Sequence, residues 1–378
     1  MRKLGESLRV RYLNVCGIKC SLPDDGYQGQ YINDIAHLFQ KDFEERYVDE
    51  ENIDIFKNYA EGKIFDDIKN TLNMLNIKFD NFFNEDDLYK NKAIEKTISD
   101  LNKKGLIYKK DGATWFAGSK VNRPVDRVLI KSSGEPTYRL PDIAYHRTKF
   151  ERNYDKIIDV FGADHMDAYP DVIESMNQLD YDINKIQVLI HQFVTITENN
   201  KPIKMSTRKA NFTTLEELCE EVGSEVVRYF FIMRHINSHL NFELEIAKDQ
   251  SDLNPIFYIQ YAHARICNII NRAKESDYNQ MNKKNSIEFL NQKLENDLII
   301  TMINFKDIIK KSYEKLDPQI ISNYLEDLAA KFHKYYAKHR IIVDDKNITE
   351  ARLFLIDSLR IIIRNGLLIL GKKAKEKM

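Results

Sequence analysis

Apolar positions in the first third of the chain recur mainly at the spacing of an α-helix. Residues 1–22 and 28–75 show this pattern, separated by the turn cluster SLPDDGYQG. KAIEKTISDLNKKG predicts a further helix, and LIYKKDGATWFA predicts a β-hairpin that turns at Asp111 and Gly112. A helix followed by a hairpin is typical of a small inserted subdomain.

From residue 125 the pattern alternates between strands and helices. VDRVLI, KIIDVFGA and KIQVLIHQFVTI predict strands, whereas DIAYHRTKFERN and AYPDVIESMNQL predict helices. This alternation favours a parallel sheet, in which ligands bind beyond the carboxyl ends of the strands. The basic loop KPIKMSTRKANFTT, residues 201–214, directly follows the last predicted strand. Its position therefore fits a loop that holds a ligand.

After residue 214 the patterns are helical to the end, and no strand is predicted. The fold class is therefore α/β plus all-α. We predict an α/β domain over residues 1–213, with a helical and hairpin insertion at roughly 23–120, and a helical bundle over residues 214–378.

Charge and composition exclude a broadly basic nucleic-acid-binding surface. Hydrophobic residues make up 43% of the chain and charged residues 30%, and the formal net charge is −1. This is an ordinary globular composition. Any phosphate binding must therefore come from local basic patches such as residues 201–214.

Cysteine usage and the amino terminus indicate a reducing compartment. Cys16, Cys20, Cys219 and Cys267 are too scattered for a disulfide framework, and the first two have no second pair nearby for a metal site. No apolar run reaches transmembrane length, and MRKLGESLRV lacks the apolar core of a signal peptide. We predict a cytoplasmic protein with no membrane contact and no structural metal.

Two polar clusters lie where a ligand could approach the predicted sheet. Tyr138 and Asp142 are four residues apart and would share one face of a helix. GADH at residues 162–165 follows a buried strand with a carboxylate and an imidazole. A lysine-rich loop alone is more often simply solvated, so these neighbours strengthen the case for residues 201–214.

Several motifs resemble those of one enzyme family. KMSTRKANF resembles the second signature of class I aminoacyl-tRNA synthetases, usually written K-M-S-K-S or K-M-S-x-R. SGEPTYRLPDIAYHRTKFERNYD, VFGADH, NPIFYIQYAHARICNII and SLRIIIRNGLLILG are similar to arginyl-tRNA synthetases in particular. The resemblance covers essentially the whole chain. It implies a class I Rossmann-like catalytic domain followed by an α-helical anticodon-binding bundle, with ATP and Mg²⁺, arginine and tRNA(Arg) as ligands.

The resemblance also implies roles for individual residues. Asp142 would pair with the guanidinium of the substrate arginine and Tyr138 would line the same pocket, while Asp164 and His165 would lie at the rim where the aminoacyl adenylate forms. The mobile loop over the ATP phosphates would consist of Lys204, Met205, Ser206 and Arg208. Thr207 and Ala210 stand where many relatives carry lysine and glycine, a pattern that also occurs within the family.

The helical half would bind tRNA. The residues implied are Tyr258, Tyr261, His263, Arg265 and the terminal Met378. Aromatic and cationic side chains suit stacking on unpaired bases. Many aromatics at helical spacing are simply core residues, and we predict this for Phe257 and Ile266.

The first class I signature, His-x-Gly-His, is absent from these 378 residues. Nine histidines are present, and no two are three positions apart. In relatives, a segment like MRKLGESLRVRYL follows that signature, so we expect an amino-terminally truncated, incomplete catalytic domain. Such a domain would leave strand edges and apolar surface uncovered. We expect a homodimer, or a complementing chain with the missing half, to cover them.

Three interpretations of the activity follow. We favour a truncated arginyl-tRNA-synthetase-like protein that binds tRNA but cannot activate arginine alone, because the two signatures stabilise the transition state together. The alternative is the C-terminal half of a split or fragmentary arginine–tRNA ligase, whose first signature is supplied elsewhere. A self-sufficient ligase is the third. A structural role unrelated to tRNA has no motif in its favour.

Overall fold

The computed structural model describes residues 2–23, 25–199, 201–203, 213–275 and 287–378. Helices dominate these ranges. Numbered along the chain, they are α1 (Arg2–Val15), α2 (Gln30–Phe43), α3 (Ile53–Met74), α4 (Asp86–Lys90), α5 (Ala93–Lys103), α6 (Arg139–Glu151), α7 (Tyr169–Gln178), α8 (Leu215–Val222), α9 (Ser224–Ile232), α10 (Leu244–Lys248), α11 (Pro255–Glu275), α12 (Lys293–Ile303), α13 (Phe305–Lys315), α14 (Gln319–Lys338) and α15 (Lys346–Ile369).

The strands form three small sheets. Numbered along the chain, they are β1 (Ile107–Lys110), β2 (Ala113–Phe116), β3 (Arg127–Ile130), β4 (Ile157–Gly162), β5 (Ile186–His191), β6 (Val194–Glu198), β7 (Lys201–Pro202) and β8 (Leu240–Glu243). The sheet orders are β1-β2-β3, β4-β5 and β7-β6-β8. Only β4 and β5 are parallel among these described pairs, with Ile157 opposite Ile186 and Gly162 opposite His191.

The chain forms two compact units. The first combines residues 1–78, 195–235 and 241–378, and the second combines residues 79–194 and 236–240. This division reflects contacts within each unit. The predicted boundary between residues 213 and 214 instead separates the α/β domain from the helical bundle, and it stays a prediction.

The second unit contains the predicted hairpin. Asp111 and Gly112 both have positive φ angles, 51° and 73°, which is the geometry of a two-residue type I′ turn between β1 and β2. The helix before it ends near Gly105, whose φ is +70°. Both features confirm the sequence prediction. The third strand corrects it: β3 pairs antiparallel with β2, and it does not belong to the parallel sheet.

The hairpin sheet packs with helices α4 to α7 around one hydrophobic core. Its buried residues include Leu101, Phe116, Leu140, Val172 and Met176, each at most 2% exposed. The core fixes α6 and α7 relative to the hairpin sheet, and these two helices carry the polar residues described below.

The amino-terminal helices of the first unit pack around aromatic side chains. The Phe39 ring is central: its centroid lies 4.9 Å from that of Tyr12, 5.1 Å from that of Phe56 and 4.9 Å from that of Tyr59. The buried Tyr12 hydroxyl donates to the carbonyl oxygen of Glu44 over 2.7 Å. Burial of such rings stabilises a three-helix layer without any sheet.

The carboxyl-terminal residues form the predicted helical bundle, with two differences in detail. Leu240 and Phe242 are buried on β8, a strand that the sequence pattern did not predict. FLNQKLENDLIITMINFKDIIKKSYEK has a continuous helical pattern, which predicts one helix, but the structure has two helices there, α12 and α13, which meet at Asn304. Gly366 permits a close helix crossing, because a Cβ there would lie 2.7 Å from Cδ2 of Leu325.

Arg228 joins three segments of the first unit. Its Nε donates to the carbonyl oxygen of Leu370 over 3.2 Å, and its Nη1 donates to that of Leu75 over 3.0 Å. These carbonyls end α15 and α3, so one guanidinium caps the negative ends of two helices. Gly371, the residue after Leu370, has a φ of +74°, and a Cβ there would clash with the Arg228 guanidinium at 2.6 Å.

Lys372 lies directly after this junction and is 4% exposed. Burial lowers the pKa of its amine to about 8, from an ordinary value of 10.5. The nearby Glu225 charge raises this pKa and the Arg228 charge lowers it. Its Nζ donates to the carbonyl oxygen of Ser224 over a long distance, 3.5 Å, which is its one hydrogen bond within the described residues. A buried cation with so weak a partner destabilises the fold.

Lys372→Met is therefore expected to raise the stability of the first unit at pH 7. Between pH 8 and 10.5 the unfolded lysine binds a proton that the folded one does not, so parent stability should rise with pH across that window. Below pH 8 the buried amine is charged, and it lowers the free energy of unfolding by up to about 3 kcal/mol. Thermal unfolding at pH 7 and pH 10 measures this, with the exposed Lys373→Met as control. If the stability of Lys372→Met still rises with pH above pH 8 as the parent's does, Lys372 is not the cause of that rise.

Candidate functional site

The first turn of α6 carries the predicted arginine-pocket residues. Tyr138 precedes the helix with its side chain 56% exposed, and the amide of Asp142 donates to its carbonyl oxygen. The Asp142 side chain is half-buried. Burial raises the pKa of the Asp142 carboxyl, although the charges of His146, His165 and Lys149 oppose this.

Asp142 is a carboxylate without a partner. Among the described residues, no hydrogen bond or ion pair reaches its oxygens. A half-buried carboxylate in that condition is costly unless a cation binds it. The site can therefore accept a cationic group, and Tyr138 supplies an exposed ring one turn away.

A buried network lies beneath Asp142. His146 is 2% exposed; its Nδ1 lies 2.7 Å from the Asp142 carbonyl oxygen and its Nε2 lies 2.9 Å from Oδ2 of Asp159. Lys149 also donates to Asp159. Although burial acts the other way, these hydrogen bonds hold the pKa of Asp159 below its usual value. Sequence reasoning missed this network, which ties α6 to β4.

The GADH segment continues from the carboxyl end of β4, as a ligand site on an α/β sheet requires. Asp164 and His165 form a 3₁₀ turn, with their charged groups 3.9 Å apart and largely accessible. The His165 ring stacks on Phe161 at 5.5 Å between centroids. The His165 charge acts against the rise in the pKa of Asp142, and a shared site for these two residues stays a prediction.

The sheet behind this segment has an uncovered face. Ile158 is 43% exposed and Val160 is 60% exposed, and both lie on the side of β4 opposite the buried Asp159. Parallel strands are normally covered on both faces. These exposed apolar positions match the expected uncovered surface, whereas a chain that covers them stays a prediction.

Four of the five predicted tRNA-binding residues lie on α11, where the structure separates them. Tyr258, Tyr261 and Arg265 lie on the accessible side, and the Arg265 guanidinium lies 4.5 Å from the Tyr261 ring and 5.0 Å from the Tyr336 ring. His333 contacts both tyrosines, at 4.6 Å from Tyr258 and 5.7 Å from Tyr261. His333 and Tyr336, on α14, were not predicted, because only the fold brings them beside α11. We call Tyr258, Tyr261, Arg265, His333 and Tyr336 the stacking surface.

His263 faces the other way. It is 1% exposed, and its Nδ1 donates to the carbonyl oxygen of Lys375 over 2.8 Å. The Gln260 amide also holds the chain end, donating to the Lys373 carbonyl oxygen and accepting from the Lys375 amide. His263 thus positions the C-terminal tail, and a base contact by His263 itself stays a prediction. Met378, at 49% exposure, lines a groove of about 500 Å³ with Phe257.

The two predicted core residues of this helix differ. Ile266 is 0% exposed, which confirms the prediction. Phe257 is only half-buried, which corrects the prediction, and its ring stacks on Tyr261 at 6.4 Å between centroids. Phe257 therefore adjoins the stacking surface.

The predicted ATP loop is not among the residues that the structure describes. Lys204, Met205, Ser206 and Arg208 lie outside the described residues. The described chain leads to them through β6 and β7, which pair antiparallel at Glu198 and Lys201.

Within the described ranges, no group of three or more His, Cys, Asp or Glu side chains could hold a metal ion. Over the same ranges, none of the helices has the length and apolar character needed to span a membrane.

Comparisons with known families cover nearly the whole chain. Residues 30–271 match the model of the family described as tRNA synthetases class I (R), catalytic domain. Residues 259–378 match that of the DALR anticodon binding domain. The predicted fold class, a class I catalytic domain followed by a helical anticodon-binding domain, is thereby confirmed.

Individual relatives agree. An arginine–tRNA ligase from Desulfotalea psychrophila is 46% identical over 379 residues, which cover 100% of this chain and 69% of the relative. A Campylobacter jejuni structure assigned as an arginyl-tRNA synthetase is 30% identical with a TM-score of 0.90, covering 100% of this chain and 82% of that one. The Thermus thermophilus arginyl-tRNA synthetase, 18% identical with a TM-score of 0.72 over 98% of this chain and 74% of that one, shows the same fold. The chain therefore belongs to the class I arginyl-tRNA synthetase family.

Proposed function

We propose that this chain serves the attachment of arginine to tRNA(Arg), with Tyr138 and Asp142 recognising the arginine side chain. The observation that carries this is the unpartnered, half-buried Asp142 carboxylate one helical turn from an exposed ring. A planar guanidinium can pair with both carboxylate oxygens and stack on the ring, which an ammonium cannot do equally well. Asp164 and His165 adjoin this pocket as the rim where an adenylate would form.

The loop with Lys204, Met205, Ser206 and Arg208 is the proposed ATP-binding element. Its cationic side chains, on a segment that follows the β6–β7 hairpin, suit neutralisation of the pyrophosphate leaving group. ATP, carried as its Mg²⁺ complex, is a substrate in this proposal. The loop sequence and the family membership support it.

We further propose that these 378 residues do not activate arginine by themselves. They contain no His-x-Gly-His segment, which in the family acts on the ATP phosphates together with the loop. The alternative is that a second polypeptide with this segment completes the site. The exposed Ile158 and Val160 face supports a covering chain, either such a partner or a second copy.

Arginine-dependent ATP–pyrophosphate exchange tests this proposal. The purified 378-residue chain should show exchange at background, with and without tRNA(Arg). Addition of a family polypeptide that carries the first signature should produce exchange if the alternative holds. Robust exchange by the chain alone would overturn the proposed dependence on a missing signature. Light scattering on the same samples reports whether the added chain binds.

Binding of tRNA through the stacking surface is expected to depend on Arg265. Arg265→Gln should weaken tRNA(Arg) binding by about 10-fold, since a stacked cation is lost from between two rings. Filter binding at several salt concentrations measures this, and affinity should be micromolar and salt-sensitive. Lys274→Gln, the same charge loss at an exposed position of α11, is the control. Equal affinity of both variants and the parent would return Arg265 to a structural role.

A further inference from the structure

One carboxylate in the second unit holds three arginines. Asp171 lies in the first turn of α7 with its side chain 3% exposed. Its oxygens lie 2.7 Å from Nε of Arg123, 3.1 Å from Nε of Arg139 and 3.3 Å from Nε of Arg127. The arginines come from the segment before β3, the start of β3 and the start of α6. We call these four residues the arginine cluster.

The charges of the arginine cluster do not balance. Three guanidinium groups against one carboxylate leave a net charge of +2. The arginine side chains are only 13–28% exposed, so water screens them incompletely. Asp126, the chain neighbour of Arg127, accepts from the Tyr108 hydroxyl and the Ser119 amide, and among the described residues it forms no ion pair with the three arginines. The cluster therefore favours an additional anion.

The hydrogen-bond donors of the cluster are also in excess. Each arginine approaches Asp171 through Nε, and the terminal nitrogens of all three donate to no described residue. Nε of Arg127 is itself buried without a hydrogen-bond partner. A guanidinium offers five N–H donors in a planar fork that matches phosphate oxygens. Unused donors at a site of excess positive charge suit an anion with several acceptor oxygens.

We propose that Arg123, Arg127 and Arg139 form a phosphate-binding site, with Asp171 positioning the three guanidinium groups. A phosphate group presents several strong acceptor oxygens and one or two negative charges, which match the unused donors and the net charge of +2. Asp171 holds the Nε edges, so the terminal nitrogens remain free to contact the ligand.

The surroundings favour an RNA phosphate over a free nucleotide. The Arg139 guanidinium lies 4.9 Å from the ring of Tyr138, which is exposed beside the proposed arginine pocket. A phosphate site beside that pocket suits the end of a tRNA chain, whose backbone phosphates bind cations. The acceptor end of tRNA has to reach that pocket. This choice of ligand rests on the proposed function, whereas the phosphate site itself does not.

The test uses Arg127→Gln and Arg127→Lys in the full 378-residue chain. Each variant is titrated with tRNA(Arg) across salt concentrations, with ATP and with inorganic pyrophosphate. Arg127→Gln should weaken tRNA binding by about 3- to 10-fold and reduce the slope of log affinity against log salt by about one. Arg127→Lys, which keeps the charge but loses the fork, should fall between. Lys131→Gln, at a 56% exposed position paired with Glu135, is the matched control and should leave binding unchanged.

The outcomes separate the alternatives. Weakened tRNA binding with unchanged ATP and pyrophosphate binding supports an RNA phosphate, and the reverse supports a phosphate from the nucleotide. If all three ligands bind Arg127→Gln as they bind the parent, the cluster is a structural junction only and the proposal is overturned. A parent chain that binds no tRNA would refute the proposed function, yet pyrophosphate binding would still test the site.

Discussion

Replacing Asp142 with asparagine is expected to weaken arginine binding by about 100- to 1000-fold, because a neutral amide leaves the buried guanidinium uncompensated. Asparagine preserves the shape of the side chain, and the Asp142 carboxylate makes no hydrogen bond within the described residues, so the fold should persist. The substitution thus isolates charge recognition.

The measurement is ligand-dependent thermal stabilisation of the 378-residue chain. Arginine that binds only the folded state raises its stability in proportion to the logarithm of its concentration. The parent should be stabilised by millimolar arginine, more than by lysine, and Asp142→Asn should not be. Asp155→Asn, at an exposed position of the same unit, serves as control. Equal stabilisation of parent and Asp142→Asn would remove Asp142 from the pocket.

The same carboxyl predicts a pH dependence. Burial raises the pKa of Asp142 above the ordinary 3.8, so protons compete with arginine at a higher pH than at an exposed aspartate. Arginine affinity should therefore fall as the pH falls through that raised pKa.

Arg228→Met is expected to destabilise the first unit by about 3 kcal/mol. It leaves the final carbonyls of α3 and α15 without the charge-assisted hydrogen bonds that Arg228 donates, each of which contributes roughly 1.5–3 kcal/mol. Part of this loss is offset, because removing the charge relieves the repulsion that lowers the pKa of Lys372.

Hydrogen exchange is the sharpest measurement of this effect, since unfolding of a chain with two units need not be two-state. Amides in the last turns of α3 and α15 should exchange faster in Arg228→Met, and the thermal midpoint of the first unit should fall. Arg364→Met removes an exposed guanidinium from α15 and should change neither. If exchange at both helix ends stays as in the parent, Arg228 is not the junction described.

Local patterns predicted most of the secondary structure because their causes are local. The Asp111-Gly112 turn depends on two adjacent residues with positive φ angles, and the helices depend on repeated apolar positions. Strand pairing depends on distant residues, which is why β3 was assigned to the wrong sheet. The alternation at Leu240 and Phe242 was a usable signal for β8, but four residues are too short a run to stand out among helices.

The candidate site divides in the same way. Tyr138 and Asp142 share one helical turn, so their spacing was informative. The arginine cluster around Asp171 and the pairing of Arg265 with Tyr336 each join segments that only the fold brings together. The inward orientation of His263 could have been suspected, because it lies on the same face of α11 as the buried Ile259 and Ile266.

The path of the chain through its two units bears on synthesis. Residues 79–194 form nearly all of the second unit as one continuous stretch, so nearly all of this unit is available for folding once residue 194 has left the ribosome. The first 78 residues belong to a unit whose last part is residues 241–378. The junction at which Arg228 meets both Leu75 and Leu370 can form only after residue 370 has been synthesised. Until then the early helices lack their final neighbours, and a chaperone that shields apolar helix faces should find them accessible on ribosome-bound chains.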